Sequence, residues 1–280
     1  MNAPHLPRLE VPGGEIAHRD AGSGPAVVLL HGGYLDHRMW TPQLASLADD
    51  HRVVALDARN HGGSSTATGP YRHCDDVAAV IRRLDLGPAV LMGGSMGAGT
   101  ALDTALEHPE LVRGLVISGA GTSEPEFRDP WALGVMDTCQ RAQQAGDGPT
   151  WVEAFLLFAA GPRRGLDEVA PDVVALCRLM AEASVARFST PGAVLPAAPV
   201  PVGRTWQRLP EVTAPLLAVV GGIDAVDHIA MAERAARGVR HGSTVTVEGT
   251  AHYPNLERPD EFDGIVRRFL REVREVDVAP

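Results

Sequence analysis

The sequence predicts an α/β fold: a mostly parallel eight-stranded sheet flanked by helices, with a helical insert after the sixth strand. Three observations carry that prediction. Short continuous apolar runs, such as Ala26-Val27-Val28-Leu29-Leu30, Ala89-Val90-Leu91-Met92 and Leu216-Leu217-Ala218-Val219-Val220, suit strands buried on both faces of a parallel sheet. Helical patterns alternate with these runs, as βαβ units require. Between residues 122 and 211 the alternation stops, and only helical segments are left.

In chain order, Arg8–Val11 and Glu15–Asp20 read as a hairpin turning at Pro12-Gly13-Gly14. The strand Ala26–Leu30 ends in His31-Gly32-Gly33-Tyr34, a helix covers about Met39–Asp49, and Arg52–Leu56 is the next strand. Val77, Val80, Ile81 and Leu84 fall at helical spacing within Asp75–Leu86. The strand Ala89–Met92 runs into a helix through Leu106, and Leu111–Ser118 is the sixth strand. The insert reads as helices near Trp131–Ala145, Thr150–Ala160 and Gly165–Phe188, then the proline-rich Pro191–Pro201. Pro215–Val220 and Ser243–Val247 are the last two strands, with helices over Ile229–Arg237 and Asp260–Arg274.

Composition removes several kinds of chemistry. The chain of 280 residues contains no lysine; all 25 basic residues are arginine, which excludes Schiff-base and P-loop chemistry. No Gly-x-Gly-x-x-Gly or His-Glu-x-x-His occurs, so no cofactor and no metal is expected. A formal charge of −10 without basic clusters argues against nucleic acid and membranes as partners. The N-terminus lacks an apolar leader segment, and the expectation is a soluble, cytoplasmic protein acting on a small molecule, with a homodimer left open. Cys74, Cys139 and Cys177 show no Cys-x-x-Cys spacing and read as reduced structural thiols. Cys74 lies near a helix start, where a thiol pKa can fall.

The chemistry concentrates at strand ends. Gly93-Gly94-Ser95-Met96-Gly97 has the Gly-x-Ser-x-Gly pattern of a nucleophile elbow, which sets a serine on a tight strand-to-helix turn. Ser95 then needs a base, assigned to His252 after the last strand, and an acid to orient that base, assigned to Asp224. Asp227, Glu124 and Glu126 are weaker candidates for the acid. The N–H groups of Gly33 and Met96 would form an oxyanion hole. His31 would tie loops together, and Asp57, Arg59 and His61 would brace a turn. The insert holds three of the four Trp and four of the six Phe, and Trp151, Phe155 and Phe158 share one helix face. Tyr34, Trp131, Trp151, Phe155 and Phe158 are the expected pocket lining, and Arg163-Arg164 reads as a solvated loop.

Taken together, these motifs resemble the α/β-hydrolase superfamily: His31-Gly32-Gly33, Asp57-Ala58-Arg59-Asn60-His61-Gly62-Gly63-Ser64, the Ser95 elbow, Gly221-x-x-Asp224 and Gly249-x-x-His252. The resemblance implies a core of residues 1–122 and 212–280 with a helical cap over 123–211. One departure is Asn60, where the family often has glycine. Serine at position 95 argues against the haloalkane dehalogenase and epoxide hydrolase branches, whose relatives use aspartate there. The pattern looks like the esterase, lactonase and C–C hydrolase branch. The implied activity is cleavage of an ester or lactone of a small, largely apolar substrate through an acyl-enzyme. C–C hydrolysis or thioester cleavage on the same residues, or a binding protein that kept the core, are the alternatives.

Overall fold

The apolar runs become the middle of one eight-stranded sheet. The computed structural model describes residues 6–189 and 194–276. Its strands are β1 Arg8–Val11, β2 Gly14–Ala21, β3 Ala26–Leu30, β4 Arg52–Leu56, β5 Ala89–Gly94, β6 Val112–Ser118, β7 Leu216–Gly221 and β8 Gly242–Val247. Their spatial order is β1-β2-β4-β3-β5-β6-β7-β8. Only the β1–β2 and β2–β4 pairs are antiparallel. The helices are α1 Thr41–Leu47, α2 His73–Arg83, α3 Met96–Glu107, α4 Pro130–Ala145, α5 Gly148–Ala160, α6 Pro171–Ser189, α7 Thr205–Arg208, α8 Val226–Gly238, α9 Pro254–Glu257 and α10 Pro259–Val276.

Strand side chains alternate between faces, and so each buried strand feeds two cores. Val27, Leu29, Met92 and Val219 pack with Trp40, Phe262 and Phe269 on one side. Val28, Leu30, Leu91 and Ile117 pack on the other with Val77 of α2, Leu102 of α3 and Ala232 of α8. Each large aliphatic side chain buried this way contributes roughly 1.5–3 kcal/mol. The two cores hold the strand ends still.

Between β6 and β7 the chain forms α4 to α7. Asp129 caps α4 by accepting the Trp131 N–H at 3.1 Å, and Asp147 caps α5 by accepting that of Thr150 at 3.1 Å. The long helix expected from Gly165 instead begins at Pro171, after a separate 3-10 turn over Leu166–Glu168. Proline lacks an N–H and fits only the first turn of a helix, so α6 starts there. Of the proline-rich stretch, residues 190–193 lie outside those described; residues 194–201 form neither helix nor strand. This strap is tied down by Ala197 N–H to Ala67 O at 2.9 Å and Val200 N–H to Tyr71 O at 2.7 Å.

Arg164 does not sit in a solvated loop. Its guanidinium donates to the carbonyls of Ala159, Ala160 and Gly249 and pairs with Glu257, latching α5 to the segment after β8. Among the described residues no helix is long and apolar enough to cross a membrane.

Candidate functional site

β5 runs into α3 at Ser95, whose backbone has φ 52 and ψ −114. Positive φ is uncommon for a residue with a side chain and costs on the order of 1–3 kcal/mol. The turn is held from both sides: Ser95 N–H donates to Ser118 O at 2.7 Å, and Ser95 O accepts from Ala98 N–H at 2.9 Å. A Cβ at Gly93 would lie 2.1 Å from Gly97 O, and one at Gly97 would lie 2.1 Å from Leu30 O. Backbone crowding therefore requires both glycines of the motif. As the first residue of α3, Met96 has an N–H with no acceptor inside the helix.

The loop after β3 lies against this elbow, since a Cβ on Gly33 would sit 3.9 Å from Met96 Cβ. His31 positions the loop. Its Nε2 accepts from Ala58 N–H at 2.9 Å, and its Nδ1 donates to Gly32 O at 2.7 Å. Asp57 accepts from Gly63 N–H at 2.7 Å and from His37 N–H at 2.8 Å, while His61 Nδ1 lies 2.9 Å from Arg59 O. Arg59 is buried, pairs with Asp76 at 2.5 Å and donates to the carbonyls of Pro12 and Gly13. These residues brace the turn before Ser64.

Asn60, at the position where glycine is common, has φ 71. It accepts from Ala67 N–H at 2.7 Å and donates to Tyr71 Oη at 2.8 Å and to Ala197 O at 3.4 Å. Asparagine tolerates the left-handed region and adds an anchor for the strap that glycine lacks.

Asp224 follows β7 and His252 follows β8, and the two meet: His252 Nδ1 is 2.8 Å from Asp224 Oδ2. The other oxygen, Oδ1, lies 2.9 Å from His228 Nδ1 and accepts from Ala225 N–H at 2.7 Å. An ionised carboxylate only accepts, so both imidazoles present N–H at Nδ1 and, when neutral, a lone pair at Nε2. Burial opposes the charge on Asp224, but the facing His252 and His228 outweigh it and hold the carboxyl well below the usual range. Burial, reinforced by His228, depresses His252 against the pull of Asp224. The two rings are 4.1 Å apart.

His228 is absent from the sequence-based set. Its signal is local: Asp224 and His228 are one helical turn apart at the start of α8. The alternative acids lie elsewhere. Glu124 accepts from Thr205 and Arg204, Glu126 pairs with Arg234 and Arg128, and Asp227 accepts from the N–H groups of Arg128 and Asp129. Asp224, His228 and His252 could present ligand atoms to a cation, all within 4.8 Å of one another, but both Asp224 oxygens already serve N–H donors.

Ser95, His252 and Gly33 line a cavity of about 380 Å³. Its aromatic wall is Tyr34, Trp151, Phe155 and Phe158; Trp151 and Phe155 stack at 5.1 Å, and Tyr34 meets Trp151 edge-on at 4.5 Å. Trp131 is a correction, since it is not part of this lining. Its indole packs edge-on against Phe158 at 5.8 Å, and so it supports the wall instead of facing the cavity. A second cavity of about 360 Å³ meets the first at Ser95, Met96, Phe127 and His228. It opens over α3, where Thr100, Asp103 and Ser123 line it beneath Pro199, Val200 and Pro201 of the strap.

A profile of the Alpha/beta hydrolase family matches residues 27–264. The chain belongs to that family. It is 26% identical over 251 residues to 3-oxoadipate enol-lactonase 2 of Acinetobacter baylyi, covering 88% of this chain and 89% of the relative. An N-acyl homoserine lactone degrading enzyme superposes with a TM-score of 0.73 at 27% identity, over 94% of this chain and 100% of the other. A thermophilic esterase from Thermogutta terrifontis, malate bound, superposes with a TM-score of 0.74 at 26% identity, over 96% and 97% of the two chains.

The thiols of this hydrolase carry no nucleophilic signature. Cys74 and Cys139 face the cavities, but burial drives the Cys74 thiol up to about 12 and raises that of Cys139. Buried Cys177 likewise rises to about 12. Cys74 thus fits the reading of a structural thiol despite its place at a helix start. The cavity linings include one arginine, Arg72, and it is already paired with Asp75 at 2.7 Å and Glu107 at 2.6 Å.

Proposed function

We propose that this hydrolase cleaves a carboxylic ester or lactone through an acyl-enzyme on Ser95. The observation that carries the reading is the 2.8 Å contact of His252 Nδ1 with Asp224, with Ser95 and His252 lining the same cavity. Ser95 Oγ attacks the carbonyl carbon and its proton passes to His252 Nε2, while Asp224 stabilises the imidazolium. The N–H groups of Met96 and Gly33 take the oxyanion. The tetrahedral species collapses, the C–O bond breaks, and the leaving oxygen takes the proton from Nε2. Water repeats the sequence with the proton moving through His252 in the same way, releasing the acid and restoring Ser95.

The insert serves as a cap in this reading, because α5 supplies the aromatic wall opposite the strand ends. The lactonase relative is named for an oxo-diacid, yet Arg72 is fully paired here and no other arginine among the described residues lines these two cavities. The aromatic cavity therefore suits an uncharged, apolar acyl group. Two measurements test the reading: mass spectrometry after a fluorophosphonate, and turnover of aryl acetates. A single adduct on Ser95 that disappears in Ser95→Ala, with a rate loss of about 10³-fold or more, is the expected result. A Ser95→Ala variant within tenfold of the parent would overturn it.

A further inference from the structure

The second cavity contains a carboxyl group that forms no ion pair among the described residues. Asp103 is 8% exposed and lies two turns along α3 from Ser95. Its Oδ1 accepts the Ser123 hydroxyl at 2.7 Å, and its other oxygen makes no hydrogen bond within the described residues. The Thr100 hydroxyl is committed, since its Oγ1 donates to Met96 O at 3.1 Å, while Thr122 Oγ1 accepts from Glu124 N–H at 3.3 Å. Arg72, the one arginine in the lining, is held by Asp75 and Glu107.

Resting on the hydrolase reading, we propose that the second cavity is the leaving-group site and that Asp103 selects leaving groups carrying a protonated amine. A buried carboxylate without a counter-ion is costly, and an ammonium group arriving with the substrate supplies the missing partner. The surroundings agree. Burial, with Glu107 and Glu124 adding repulsion, drives the Asp103 carboxyl up to about 7 against the pull of Ser123 and Arg72. His73, across the cavity, is held down to about 4 by burial and so is neutral near pH 7. Pro199, Val200 and Pro201 offer no charge from the strap. A bound ammonium would meet the Asp103 carboxylate, while Arg72 in the same lining is already paired with Asp75 and Glu107. The aromatic cavity would then keep the acyl part, and Ser95 would divide a substrate with one apolar and one cationic half.

The test uses three aryl acetates of matched size: 4-(aminomethyl)phenyl, 4-ethylphenyl and 4-(carboxymethyl)phenyl acetate. At pH 8 the amine is still protonated and Asp103 is ionised. The expected order of kcat/KM is cationic, neutral, anionic, with at least tenfold between the ends, and Asp103→Asn compresses that span to within about threefold. Fluorophosphonate labelling of Ser95 is read in parallel. Labelling with a flat or reversed order in the parent protein overturns the assignment of Asp103 and leaves the hydrolase reading standing. So does labelling with an unchanged span in Asp103→Asn. No labelling and no cleavage of any ester overturns the hydrolase reading, and the leaving-group site falls with it.

Discussion

Asp224 holds two imidazoles on one carboxylate, and this sharing governs how the proposed site responds to pH. His252 must be neutral to accept the Ser95 proton, so activity appears as pH rises through its pKa. His228 depresses that pKa. Replacing it in His228→Asn removes the neighbouring imidazole that lowers the His252 pKa, and the acid limb of the kcat/KM profile moves to higher pH. An unmoved limb would mean the two rings are not coupled. The placement of Ser95, Asp224 and His252 just past the ends of β5, β7 and β8 was legible in the sequence, because each lies in a recognisable motif there. The facing of His228 and Asp103 was not: the i, i+4 spacing pairs His228 with Asp224 but does not show which cavity it faces, and nothing local marks Asp103. Trp131 shows the limit of the aromatic argument: helical spacing shows which residues share a face, but not which of two touching rings stands in front.

At the scale of elements, the elbow and the strap differ in how firmly they are built. Gly93→Ala would press a methyl group into Gly97 O beneath the elbow, where only backbone could give way. A loss of about 3 kcal/mol or more is expected, read as a Tm drop or failure to accumulate folded protein. The strap depends on hydrogen bonds more than on packing. Asn60→Gly keeps the left-handed backbone but removes the side-chain bonds to Ala67, Tyr71 and Ala197. It should cost about 1–3 kcal/mol and speed amide exchange at Ala197 and Val200 while leaving β5 protected. Equal exchange in both proteins would show that Asn60 does not anchor the strap. The buried strands were plain in the sequence because both of their faces are apolar. The strap was visible only as a proline-rich stretch, because its tethers join residues more than a hundred positions apart.

For the whole molecule, Asp103 links the second cavity to global stability. Its folded pKa of about 7 lies above the ordinary aspartate value of 3.8, so between roughly pH 4 and 7 the folded chain holds a proton that the unfolded chain has released. Stability from this group is complete below that window and is lost as pH rises through it. Asp103→Asn removes the loss, and its Tm should exceed that of the parent by about 3 °C or more at pH 8, with little difference at pH 4. A gap that does not widen with pH would mean that Asp103 ionises freely in the folded state. The pair of cavities meeting at Ser95 has a kinetic consequence as well. On the proposed chemistry, the acyl half stays bonded to the serine while the other half departs, so one chamber is vacated before the cycle ends. Whatever enters that space competes with water for the acyl group. In an alcohol-rich medium the same molecule would make new esters as well as break old ones, and the ratio of transfer to hydrolysis would depend on how well the incoming alcohol fits beside Asp103.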